Sequence, residues 1–266
     1  MNTKLMFNLK IFFSFLFFCG IQTSISQHIL IPMDNDIQKN HLKSYGLAYW
    51  VLDNNLEVDW LLNYRGGSFM CDFFEEIEKE CIYRGVSYET ISKNEANKIL
   101  NEIANPEKNY DIIKLEKSPK IAVYSPKHKQ PWDDAVTLVL EYAEIPYDII
   151  YDQEILSNLL PLYDWLHLHH EDFTGQYGKF YKNYHNSNWY KNMEIQFNNT
   201  AKKHGFNTVH ELKKNVALKI KEYVANGGFM FAMCSATDSF DIALAAHDVD
   251  IAASVYDNTP IDPAFR

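Results

Sequence analysis

The stretch that decides the fold is Phe229-Met230-Phe231-Ala232-Met233-Cys234-Ser235-Ala236-Thr237-Asp238. Phe229 to Met233 is apolar without alternation, which predicts a strand buried on both faces. From Asp238 to His247 the pattern turns helical, with acids near its start. A strand feeding a helix in this way is the repeating unit of a parallel α/β sheet. Cys234 falls in the turn between them, with Ala two residues before it and Ala two residues after. Small residues at those two positions are what a nucleophile elbow needs, because the sharp turn brings them close together. The following helix N-terminus would lower the thiol pKa and offer N–H groups to an oxyanion. A thiol that merely fills a tight corner fits the same letters.

Working outward, the chain repeats this unit. Thr208 and Glu211 predict a capping box opening a helix with Leu212, Val216, Ile220 and Tyr223 on one face, ended by Gly227-Gly228. Trp165 to His169, Ile121 to Tyr124 and Tyr147 to Tyr151 read as strands, and Asp133 to Ala143 as a helix. Residues 119–266 are therefore expected to form a flavodoxin-like parallel sheet covered by helices on both faces, and whether its C-terminal part ends at Arg266 or continues beyond is left open. Upstream, strands are expected at His28–Pro32, Val58–Tyr64 and Val86–Ile91, with helices at Gln38–Leu52, Asp72–Arg84 and from Ser92 to about Ala104. These make 27–118 an N-terminal α/β unit. The polar stretch Asn105–Pro119 marks the boundary.

Ligands in such sheets sit beyond the C-terminal ends of the strands. Those ends carry Ser125, Asp152, His169-His170 and Cys234. The catalytic candidates are Cys234 with His169 or His170 as its base; Ser125, Asp152, Glu171, Asp172 and Ser235 are candidate substrate contacts. No cofactor is required in this reading. The competing chemistry for His167, His169 and His170, followed by Glu171 and Asp172, is a zinc ion held by two imidazoles and a carboxylate, and the bland one is a hydrogen-bonded polar loop. Nine aromatics between Tyr163 and Tyr190 suit either a lid that stacks on sugar or peptide, or a satellite core. Arg65-Gly66-Gly67-Ser68, after a strand end, fits an anion site or a plain turn.

Composition bounds the function. Over 266 residues, 47% apolar content supports a real core, and a net charge of −10 argues against wrapping nucleic acid through phosphate contacts. The expected partner is a small-molecule, peptide or glycan ligand. Met1 to Ser26, with Lys4, Lys10 and the apolar run Ile11–Phe18, reads as a cleaved signal peptide leaving Gln27 first. The protein is expected outside the cytoplasm, periplasmic or extracellular, with no membrane span. Cys71 and Cys81, placed on one helix, would sit about 15 Å apart, too far for a disulfide.

Two resemblances follow from these residues. Lys120 to His247, with its strand, Cys234 elbow and helix, resembles the class I glutamine amidotransferase-like superfamily, which implies a flavodoxin-like fold with Cys234 as nucleophile. That superfamily places its histidine after the cysteine, where this chain offers only His247. His41-Leu42-Lys43-Ser44-Tyr45-Gly46, Asn63-Tyr64-Arg65-Gly66-Gly67-Ser68-Phe69 and Tyr163 to Gly178 resemble an exported Bacteroidetes family labelled asparagine synthetase B. That label implies an N-terminal catalytic cysteine and a glycine-rich ATP loop. Residue 2 is Asn, and Ser235-Ala236-Thr237-Asp238-Ser239 lacks the glycines that let backbone approach phosphate.

Overall fold

In chain order the elements are β1 (Gln27–Ile31), α1 (His41–Asp53), β2 (Val58–Leu62), β3 (Ser68–Asp72), α2 (Glu75–Arg84), β4 (Glu89–Ser92), α3 (Lys93–Ile103) and β5 (Asp111–Leu115). Then follow β6 (Ile121–Tyr124), α4 (Ala135–Ala143), β7 (Asp148–Ile150), α5 (Asp152–Leu156), β8 (Trp165–Leu168), α6 (Gly178–Tyr184) and α7 (Asn188–Lys203). The last are α8 (Val209–Ala225), β9 (Phe229–Ala232), α9 (Ser235–Ala245) and α10 (Ser254–Asp257). This computed structural model describes residues 27–126, 135–175, 178–260 and 262–263. The signal-peptide reading of 1–26 lies outside them. The chain forms two units. One holds the stretch ending at His41 together with Leu56–Glu116, and the other holds Leu42–Asn55 with Lys117 onward. The division is thus interleaved where composition suggests one cut near 118.

The first unit carries both strands and helices, and its strands double back on one another. Its sheet has the order β4-β1-β3-β2-β5, and every pairing is antiparallel. The reason is local. Residues 63–67 form a tight turn between β2 and β3, with Asn63, Arg65, Gly66 and Gly67 all at positive φ, so the chain doubles back instead of crossing over. A Cβ on Gly66 would lie 2.5 Å from the Met33 carbonyl oxygen, which leaves glycine as the residue that fits. Leu30, Leu61, Met70 and Ile91 face Ala96 and Ile103 of α3, and the Ser92–Glu95 capping box opens that helix as expected. Two strands have no counterpart in the sequence reading. β3 replaces the start of the expected Asp72–Arg84 helix, so Cys71 is on a strand and Cys81 on α2. β5 lies inside the polar boundary stretch.

The second unit carries a four-stranded parallel sheet in the order β7-β6-β8-β9. Helices flank both faces. Along β6, Ile121 and Val123 point to α4, where Leu140 meets them and Tyr49 of α1 joins. Ala122 and Tyr124 point the other way, into a core with Leu166 and Leu168 of β8. The expected α8 face of Leu212, Val216, Ile220 and Tyr223 closes that core. α1 reaches α4 at Gly46, where an added Cβ would fall 1.7 Å from the Ala143 carbonyl oxygen. Backbone touches backbone there. On β9, the outer residues Phe229 and Phe231 are 58% and 48% exposed. No helix among the described residues is long and apolar enough to cross a membrane.

Candidate functional site

Parallel pairing fixes the site. Leu168 of β8 lies opposite Ala232 of β9, so His169-His170 and Cys234 leave the sheet side by side at its C-terminal edge. The ladder continues one step past the strands, where Met233 N–H donates to the Leu168 carbonyl at 3.1 Å. The chain then turns through Cys234 at φ 53°, ψ −140° and enters α9. Non-glycine residues rarely hold such a conformation, and the strain concentrates at functional positions. Ala232 and Ala236 flank the turn as the sequence reading required.

His169, His170 and Cys234 each offer a side-chain N or S atom, and these atoms all lie within 4.8 Å of one another. Cys234 is exposed, His170 half-buried and His169 buried. The two imidazoles stack with centroids 3.5 Å apart and planes inclined at 30°. His167, one step back on β8, is buried and stacks on Phe231 instead.

The carbonyls and amides around the histidines are pinned to α9 and to Glu171. One Glu171 carboxylate oxygen accepts from His169 N–H at 3.3 Å and His170 N–H at 3.0 Å. Ala236 N–H donates to the His169 carbonyl at 3.1 Å, and the Ser235 hydroxyl donates to the His170 carbonyl at 3.0 Å. The Ser239 hydroxyl donates to the Glu171 carbonyl at 2.7 Å. The Ala236 amide is therefore spent on loop anchoring, which narrows the expected use of helix amides for an oxyanion.

The other expected contacts have different work. Asp152 is 1% exposed, and both its carboxylate oxygens lie 2.9 Å from Lys213 Nζ. Tyr124 donates its phenol to the same carboxylate, while burial and the Asp152 charge push the Tyr124 pKa well up. Asp152 thus belongs to a buried ion pair with Lys213. Asp172 accepts from Thr174 N–H at 2.8 Å, a loop-forming turn. Glu171 and Ser235 position the histidines. Ser125 N–H donates to the Ile150 carbonyl at 3.0 Å, tying the end of β6 to β7.

Arg65 is engaged by its own chain, bidentate to Glu89 at 2.8 and 2.9 Å and bonded to Asp34 at 2.9 Å, which favours the plain-turn reading. The aromatic stretch corrects toward a core. Phe173 and Tyr190 are buried, and Tyr163, Phe180, Tyr181 and Trp189 pack against them; Tyr177 lies outside the described residues. Ser235–Ser239 is the first turn and a half of α9, not a phosphate loop.

Two groupings escaped the sequence reading. Lys213 sits on the buried side of α8, and a lysine beside the Leu212–Val216 stripe was the available signal. His210, Asp250 and Asp257 converge near the chain end, and no periodicity announces them. A cavity of about 580 Å³, bordered by Asp164, Tyr223 and Gly228, opens at the N-terminal edge of the sheet, away from Cys234.

Fold and site together define an α/β protein whose parallel sheet presents a strained, exposed cysteine beside two imidazoles. No known family, curated protein or solved structure matches the chain, so the reading of the site rests on its own geometry.

Proposed function

We propose that the chain is an exported, class I glutamine amidotransferase-like protein with a flavodoxin-like domain, hydrolysing the C–N bond of a small amide or peptide. Cys234 attacks the carbonyl carbon as thiolate after passing its proton to His169 or His170. The imidazolium returns the proton to the departing amine as the C–N bond breaks. Water, deprotonated by the same imidazole, then cleaves the thioester and restores the thiol. The elbow gives the oxyanion role to the N–H after the nucleophile, that of Ser235.

The observation that carries this reading is the backbone of Cys234. A φ of 53° with ψ −140° at an exposed cysteine, with imidazole atoms inside 4.8 Å, combines strain, access and a base. The histidines reach it from the preceding strand rather than from downstream, as resemblance implies. The glycan-binding alternative loses support because Phe173 and Tyr190 are buried and Tyr163, Phe180, Tyr181 and Trp189 pack against that core. Synthetase-type activity loses it because no glycine loop precedes α9.

The test is alkylation by iodoacetamide, resolved by mass spectrometry across pH on chelator-treated protein. Cys234 is expected to react fastest of the described cysteines, with its rate at neutral pH falling in His169→Gln or His170→Gln. Equal slow reaction of Cys71, Cys81 and Cys234 would overturn the proposal.

A further inference from the structure

The same three side chains carry a second chemistry. We infer that His169, His170 and Cys234 form a three-donor site for a thiophilic divalent cation, Zn²⁺ first, and that the bound cation silences the nucleophile. Binding rests on the geometry alone; silencing rests on the nucleophile reading above.

Two imidazole nitrogens and one thiolate are a donor set that borderline-soft Zn²⁺ favours over Mg²⁺ or Ca²⁺. Zn–N bonds of about 2.0 Å and a Zn–S bond of about 2.3 Å place tetrahedral donors roughly 3.3 to 3.6 Å apart. The donor atoms here lie within 4.8 Å of one another, so side-chain rotation closes the remainder. Cys234 is exposed, which frees its sulfur to rotate.

The backbone beneath the donors is already held. Glu171 grips the amides of both histidines. Ala236 and Ser235 grip their carbonyls. A site built on a fixed loop loses little entropy on loading. Three protein donors leave a fourth position for water or a substrate group, the arrangement of an open zinc site.

Loading releases a proton. The Cys234 S–H bond breaks, its electron pair goes to Zn²⁺, and the proton leaves to solvent. The metal-bound sulfur no longer presents that pair to a carbonyl, and the imidazole nitrogens no longer accept protons. This differs from a zinc ion on imidazoles and a carboxylate, because the third donor is the Cys234 sulfur, while one oxygen each of Glu171 and Asp172 accepts from backbone amides of the loop.

The experiment adds Co²⁺, the spectroscopic stand-in for Zn²⁺, to the full chain after chelator treatment. The expected result is a sulfur-to-cobalt charge-transfer band in the near ultraviolet that saturates at one equivalent and is displaced by Zn²⁺. Cys234→Ser removes the band with the circular dichroism unchanged, and His170→Gln weakens binding by about tenfold or more. Cys71 and Cys81 are buried with thiols pushed up to about 12, so they contribute no competing thiolate. Absence of the band, or its persistence in Cys234→Ser, overturns the metal site. Alkylation of the metal-free protein judges the nucleophile separately: a cobalt band with slow alkylation keeps the site and removes silencing, whereas fast alkylation without a band removes the site and keeps the hydrolase.

Discussion

The backbone N–H of Ala236 donates to the carbonyl of His169 at 3.1 Å. With the Ser235 and Ser239 hydroxyl bonds to the His170 and Glu171 carbonyls, this bond ties the loop after β8 to α9 and helps set the spacing between imidazole and sulfur. A helix N-terminus has several orphan donors; here one serves the fold by holding His169 beside Cys234. Because the bond is between main-chain groups, side-chain changes at 236 act on it only through crowding. Ala236 is fully buried, so Ala236→Val should displace the loop and slow Cys234 alkylation several-fold. Unchanged alkylation with unchanged stability would show that the spacing does not depend on this contact.

Thiol accessibility should divide the cysteines sharply. Burial pushes the Cys71 and Cys81 thiols up to about 12, so at neutral pH roughly one in 10⁵ is ionised, each pH unit being tenfold. Native protein treated with a thiol reagent should label Cys234 alone among the described cysteines. Labelling in denaturant should add Cys71 and Cys81. Native labelling of Cys71 at a comparable rate would contradict its 6% exposure.

The Lys213–Asp152 pair is buried on both sides, with side chains 3% and 1% exposed. Its ammonium also lies 4.3 Å from the Tyr151 ring centroid. Lys213→Met strands the Asp152 carboxylate and should cost about 3–5 kcal/mol. Adding Asp152→Asn should restore part of that loss. Urea midpoints of the two single variants and the double variant give the coupling; additive losses would mean the ion pair is not the source.

How much of this was legible depends on where each element's information lies. β6 and β9 are continuous apolar runs, β8 is one interrupted by His167, and the α8 stripe has helical spacing, so the parallel sheet and its core could be read from residue order. β9 departs from the expected burial on both faces, since Phe229 and Phe231 are exposed. The capping pairs Ser92–Glu95 and Thr208–Glu211 mark helix starts through local hydrogen bonds, and both serines' or threonines' oxygens do accept from the glutamate amide. The direction of the first sheet was not legible because it is set by the 63–67 turn, whose positive-φ residues include Asn63 and Arg65 as well as glycines. Strand β5, Asp-Ile-Ile-Lys-Leu, is largely exposed on the sheet edge, and its short apolar content is framed by Asp, Lys and a polar boundary stretch. α7 was missed because Tyr190, Met193, Phe197 and Ala201 form its buried stripe amid Asn and Lys. At the site, the meeting of His169, His170 and Cys234 followed from strand order. The engagement of Asp152 by Lys213 did not, since a strand-end carboxylate and a helix lysine sixty residues on have no shared local pattern.

Acid should loosen the clasp between α8 and the segment near Asp250. His210 is buried with its Nε2 3.2 Å from an Asp250 oxygen. Desolvation lowers its pKa below the ordinary 6.5, with Lys214 adding to that shift and Asp250, Asp257 and Glu211 opposing it. The unfolded chain therefore takes up a proton near pH 6.5 that the folded chain refuses until lower pH. Stability tied to this group is present above pH 6.5 and is lost as pH falls toward the folded value. Wild-type unfolding free energy should decline between pH 7.5 and 5.5 more steeply than that of His210→Gln, about 6.5 being the free-imidazole midpoint. Parallel profiles would remove His210 from the account.

Strain at the elbow gives the last test. Cys234 holds φ 53°, ψ −140° without being glycine, a conformation worth about 1–3 kcal/mol of destabilisation. Cys234→Gly relieves the clash, while glycine's larger unfolded-state entropy takes back about 0.5–1 kcal/mol. The net expectation is a gain of about 1 kcal/mol over Cys234→Ala, which keeps the Cβ and the strain. Both variants lack the thiol, so their difference isolates backbone from chemistry. Equal urea midpoints would mean the turn relaxes without its Cβ mattering, and the exposed sulfur would then sit there for reasons other than a held elbow.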